Sequence, residues 1–156
     1  MLKIALTALL ALVLAGGAAF AAGSSDSPSP SPSKQPTAYD QAVKLIEAKD
    51  YNGAIPLLEG VTETQPNNAD AWNYLGFAYR NVQRNDEAFA AYNKALLIDP
   101  KHDGANEYLG ELYLQVGDLD SAEQQLQVLD DNCSFNCEEY HELKDKIAAY
   151  KKTHGS

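Results

Sequence analysis

Cys133 and Cys137 are the only thiols in the chain, and the three residues between them limit their chemistry. A redox-active pair has two intervening residues and sits at a helix start after a strand, and no strand pattern precedes this one. A structural zinc takes four ligands. Cys133, Cys137 and His141 supply three, with Glu138 or Asp131 as a weak fourth, so no metal is expected. Covalent haem needs histidine directly after the second cysteine, where Glu138 stands. The remaining chemistry is a disulfide, because the segment turns between two helical patterns and can bring the Cα atoms within about 7 Å. So small a loop stabilises by about 2 kcal/mol or less. Its role would be to fix the joint between two elements.

No other constellation suggests catalysis. His102, His141 and His154 fall in a loop, on the last helical pattern and in the tail, and the serines lie mostly before residue 34. Nucleophile-elbow, phosphate-loop and paired-histidine motifs do not occur. The expectation is a protein that is not an enzyme and needs no cofactor. With 22 acidic and 12 basic residues the formal charge is −10, which disfavours nucleic acid and anionic membrane and suits a basic partner.

The amino-terminal part has a different composition. Lys3 precedes an apolar run from Ile4 to Ala15, and Ala19-Phe20-Ala21 fits a small-x-small cleavage site. Residues 1–21 read as a signal peptide and imply export, to a periplasm or outside the cell, with no stable membrane insertion after cleavage. An oxidising compartment suits the disulfide. Residues 22–36 alternate serine and proline and read as a disordered linker.

From residue 35 onward the chain repeats. Trp72, Leu75, Gly76, Tyr79, Ala88, Tyr92, Ala95 and Pro100 are matched 34 residues later by Asn106, Leu109, Gly110, Tyr113, Ala122, Leu126 and Leu129. They are matched 34 residues earlier by Ala38, Gln41, Ala42, Leu45, Ala54, Leu58, Val61 and Pro66. Such a period belongs to stacked helix–turn–helix units. The repeats span about 35–68, 69–102 and 103–136, each predicting two helices. Gly76, Gly110 and Ala88 are expected where neighbouring helices cross closely. Pro56 should kink the second helix unless that helix starts near Gly53. Asn85 is expected as one N-cap. Asn136, with Glu139 three residues on, is expected to cap a final helix over 137–152. Residues 153–156 read as a disordered tail.

This arrangement resembles the tetratricopeptide repeat family over about 35–136, with 137–152 as the capping helix of a domain spanning 37–152. The resemblance implies an all-α solenoid of seven antiparallel-packed helices in a right-handed superhelix. It implies a non-catalytic scaffold whose concave face, lined by the first helix of each repeat, binds a peptide or another protein. Carried onto this chain, the groove positions are Tyr39, Val43 and Ile46 in the first repeat, Asp70, Asn73, Phe77, Arg80 and Asn81 in the second, and Glu107, Glu111, Leu114 and Gln115 in the third. Arg80 is the one base among these positions, so a clamp for a terminal carboxylate is not expected. An apolar patch rimmed by acid suits an apolar or basic segment. The alternative is self-association into a homo-oligomer of an envelope assembly.

Overall fold

The computed structural model describes residues 36–155. The signal peptide and all but the last residue of the linker lie outside the described residues. Among the described residues there are seven α-helices: α1 (Ala38–Glu47), α2 (Tyr51–Thr64), α3 (Ala69–Asn81), α4 (Asn85–Ile98), α5 (Asp103–Val116), α6 (Leu119–Asn132) and α7 (Glu138–His154). The last runs through the start of the segment read as a tail.

Short turns pair α1 with α2, α3 with α4 and α5 with α6, and these pairs stack in order. The three turns share one construction. Lys49, Gln83 and Gly117, 34 residues apart, all take the left-handed conformation with φ of 60°, 62° and 87°. In each turn their N–H groups and those of the next residue bond back to the preceding helix, as from Asp50 to Leu45, Arg84 to Tyr79 and Asp118 to Tyr113. This is the Schellman pattern that ends helices. Asp50 and Asp118 then cap the following helix, accepting from Gly53 and Ser121. Arg84 occupies the same place in the second repeat and gives no side-chain cap. Asn85 is therefore the first helical residue rather than the N-cap, because the turn sets the register.

The ends of the helices show why the repeats stay in phase and where they stop. Helices α2, α4 and α6 end at Thr64, Ile98 and Asn132, again 34 apart. Asn68 and His102 then cap α3 and α5, accepting from Ala71 and Ala105. The third link is one residue longer. Asn136 takes φ 48°, the cap falls on Cys137, and the expected capping box is not formed. Cys133 and Cys137 lie with Cα atoms 5.7 Å apart, within the span of a disulfide. Thr37 caps α1 in a box with Asp40, so the first helix is short but has a defined start. Pro56 lies inside α2 on its exposed side, and the helix continues through it.

The core runs along the stack through Ala42, Leu58, Leu75, Ala88, Tyr92, Leu109 and Leu112. A second cluster, built on Ala122, Leu129, Leu143 and Ile147, holds α7 against α6. The small residues work differently from the expected contact of backbone with backbone. A Cβ on Gly76 would lie 2.7 Å from the fully buried ring of Tyr92, so a large side chain of α4 rests on the bare backbone of α3. At Gly110 the intruding side chain is Leu143 of α7, not a residue of α6. The odd-numbered helices touch one another in succession, α1 with α3, α3 with α5 and α5 with α7, whereas α2 does not touch α4 and α4 does not touch α6. The odd helices thus form a closed inner layer and the even helices a spread outer one.

Two substitutions test this account. Gly76→Ala should lower stability by roughly 1 kcal/mol, since overpacking against Tyr92 outweighs the better helix propensity of alanine. Gln83→Gly should raise it by about 0.5 kcal/mol, since the left-handed cost removed exceeds the added chain entropy. Urea unfolding measures both, and opposite signs would refute the packing and turn assignments.

Candidate functional site

The inner layer carries a strip of aromatic side chains that leads into a charged cluster. At one end Tyr39 and Val43 of α1, half-buried, line a cleft of about 520 Å³ with Tyr74 of α3. Tyr39 meets Tyr74 edge-on at 6.0 Å. Burial, with Asp70 nearby, pushes the Tyr39 hydroxyl up to about 12. Further along, Phe77 packs between Tyr51 at 5.9 Å and Tyr108 at 4.9 Å. The Arg80 guanidinium stands 5.5 Å from the Phe77 ring and 5.6 Å from that of Tyr108, both within cation–π range.

Arg80 forms an ion pair with Glu111, one turn beyond Glu107 on α5. Lys146 of α7 enters the same cluster, pairing with Glu111, with Glu107 at 3.3 Å and with Glu142 at 3.5 Å. The carboxylate oxygens of Glu107, Glu111 and Glu142 lie within 4.8 Å of one another, a spacing that suits a cation, and the Lys146 ammonium is the cation beside all three. Burial pushes Glu107 up to about 8, helped by the close Glu142 carboxyl and opposed by Lys146. For Glu111 burial acts in the same direction, but Arg80 and Lys146 outweigh it and lower its pKa. Burial works against the charge of Arg80, and Tyr92 and Glu111 overcome it. A second inner cleft, of about 400 Å³, opens beside this cluster between Arg80, Leu114, Gln115, Lys146 and Tyr150.

The structure places the expected groove residues unequally. Tyr39, Val43, Phe77, Arg80 and Glu111 are partly buried on the inner layer, and Asn81 is exposed there, donating to the Phe77 carbonyl. Ile46 belongs to the core. Asn73 is 5% exposed and Glu107 3%, so neither offers an open surface. Asp70 accepts from His102, whose Nδ1 caps α5 and whose Nε2 therefore carries the proton, a bond that joins the second repeat to the third. Tyr74, Tyr108, Glu142 and Lys146 were missed by sequence reasoning. The tyrosines carry a signal, since they recur at the 34-residue step. Lys146 and Glu142 carry none, because the longer third link shifts α7 out of phase.

Comparison with known proteins agrees with this architecture. Models described as tetratricopeptide repeat match residues 39–103 and 82–147, and so together cover the helical stack. Tetratricopeptide repeat protein 37 of Xenopus laevis is 36% identical over 78 residues, which is 50% of this chain and 5% of that protein. The chain thus spans only a small part of the curated relative it matches. Among solved structures, the type III secretion translocator chaperone SycD of Yersinia enterocolitica superposes with a TM-score of 0.69 at 18% identity, over 76% of this chain and 84% of that one. PcrH in complex with the chaperone-binding region of PopD gives 0.66 at 18% identity, over 75% and 90%. At such identities the likeness is one of fold.

The charged cluster predicts a pH dependence. Glu107 binds its proton more tightly in the folded chain, so stability present below the ordinary value of 4.5 is lost as pH rises through about 8. For one proton the slope approaches about 1.4 kcal/mol per pH unit. Glu107→Gln should flatten the fall, measured by urea unfolding at stepped pH. Parallel profiles for parent and variant would show that this carboxyl does not hold the proton.

Proposed function

The chain belongs to the tetratricopeptide repeat family, and on that footing we propose that it is a non-catalytic module that grips a peptide segment of another protein along its inner face. The observation that carries this reading is the strip from Tyr39 through Tyr74, Phe77 and Tyr108 to the Arg80–Glu111–Lys146 cluster, with an open cleft at either end. Aromatic rings offer contact area at small entropic cost, and a charged cluster fixes the register of what lies across it. A similar fold, that of PcrH, is known in complex with a region of its partner PopD, which supports a segment of protein as the ligand.

The aromatic half of the strip suits apolar side chains. The cluster of three carboxylates against Arg80 and Lys146 suits a basic or amide-bearing residue more than an acidic one. We propose further that the protein is exported, a reading that rests on the composition of residues 1–21, and that Cys133 and Cys137 are oxidised. The bridge would then hold the joint from which α7 delivers Lys146 to the inner face.

Panning a phage-displayed peptide library on the full chain tests the main proposal. Selected peptides should compete with one another and bind at least about tenfold more weakly to the Phe77→Ala, Arg80→Ala double variant, a loss of about 1.4 kcal/mol. A photoreactive group at Asn81 should crosslink them, with circular dichroism confirming that each variant is folded. Peptides that crosslink only from the outer helices would overturn the reading.

A further inference from the structure

The spread of the even-numbered helices leaves a cleft on the outer face that the inner-groove reading does not use. Because α2 and α4 do not touch, α3 is uncovered between them. The cleft there has a volume of about 590 Å³, larger than either cleft of the inner face described above, and Trp72, Leu75 and Tyr79 of α3 line it together with Ala90 of α4.

The polar ends of this floor are already satisfied. Trp72 Nε1 donates to the Pro66 carbonyl at 3.0 Å, and the Tyr79 hydroxyl donates to Glu59 at 2.5 Å. What remains is apolar surface that gains by contact with an apolar side chain. The next interval, between α4 and α6, lacks this floor. There Asn106 replaces Trp72, and it is buried and bonded to the carbonyls of Pro100 and His102.

The rim is uneven in charge. On the α4 side Glu87 is paired with Arg84, which also lies 4.4 Å from the Tyr79 ring, and Lys94 stands further along. On the α2 side Glu59 takes only the tyrosine hydroxyl, and Glu63 is exposed with no ion pair. The acidic rim over an apolar floor, on a chain of charge −10, is complementary to a basic apolar sequence. We propose that this outer cleft is a second docking site, for a segment of a partner protein in which an aliphatic or aromatic side chain is flanked by lysine or arginine.

Trp72 is the only tryptophan of the chain, so its fluorescence reports this cleft directly. The full chain is titrated with the acetylated peptide Lys-Leu-Phe-Lys-Leu-Phe-Lys and with the same peptide carrying glutamate for lysine. The basic peptide should change Trp72 emission saturably and bind at least about tenfold more tightly than the acidic one. Glu63→Lys should weaken it about fivefold, by removing the free carboxylate. Ala90→Phe, at an exposed position, should abolish the response while the melting curve stays that of the parent. Phe77→Ala, on the inner face, should leave it unchanged, which separates failure here from failure of the inner-groove reading. The proposal falls if Trp72 does not respond at millimolar peptide, if the two peptides respond alike, or if the response survives Ala90→Phe. It falls equally if Trp72 emission shifts with protein concentration alone, since a second copy would then be the occupant.

Discussion

The ring of Tyr92 lies against the backbone of Gly76 with no room for a methyl group between them, and the residue is completely buried. That contact fixes the separation of α3 and α4, and through it the pitch of the stack. Its hydroxyl reaches the region of Arg80, where both it and the guanidinium Nε are buried without hydrogen-bond partners. An unpaired buried donor costs free energy, so the tyrosine is not placed there as the cheapest filler. It carries the position of the core out to the charged inner face: a shift of α4 against α3 moves Arg80, and with it the pair to Glu111.

The inner cluster is itself a compromise between desolvation and charge. Removing carboxylates and cations from water is costly, and their mutual attraction offsets this only when each partner is present. Here the partners come from three helices, Arg80 from α3, Glu107 and Glu111 from α5, and Glu142 and Lys146 from α7. Such a network adds little net stability but specifies how the helices sit. The capping helix therefore does more than cover the last apolar face. It supplies the second cation of the groove, so the end of the solenoid and the surface it presents are one structure.

The period of 34 made the architecture legible because it acts at every level at once. It places apolar residues on one face of each helix, small residues where a ring must rest, and left-handed turns at Lys49, Gln83 and Gly117. The turns were not legible as such, since only one of the three uses glycine. The same blindness misplaced the cap of α4: Asn85 is the better capping residue by type, but the Schellman turn puts Arg84 in the position. The groove was legible for the first two repeats, where Tyr39, Phe77 and Arg80 hold the expected phase. It failed at α7, because a link lengthened by one residue rotates every later side chain by about 100° on a helix. Lys146 and Leu143 therefore reached Glu107 and Gly110 without a period to announce them.

The two faces of the stack follow from one asymmetry. Odd helices meet their odd neighbours, as α3 and α5 do with Phe77 against Tyr108, while even helices are held apart. Rows of different spacing joined along one core must curve, and the closely spaced row lies on the inside. Curvature narrows the inner face, where side chains from successive repeats reach one another and form ladders and ion pairs. On the outer face it separates α2 from α4 and exposes what lies beneath. In most positions of such a layer a polar residue can lie beneath without cost, as Asn106 does by bonding backbone carbonyls. Trp72 instead leaves apolar surface at the bottom of the gap. The same geometry that builds a polar-ended groove inside thus produces an apolar one outside, and the sequence at a single repeat position decides whether the outer gap is adhesive or inert.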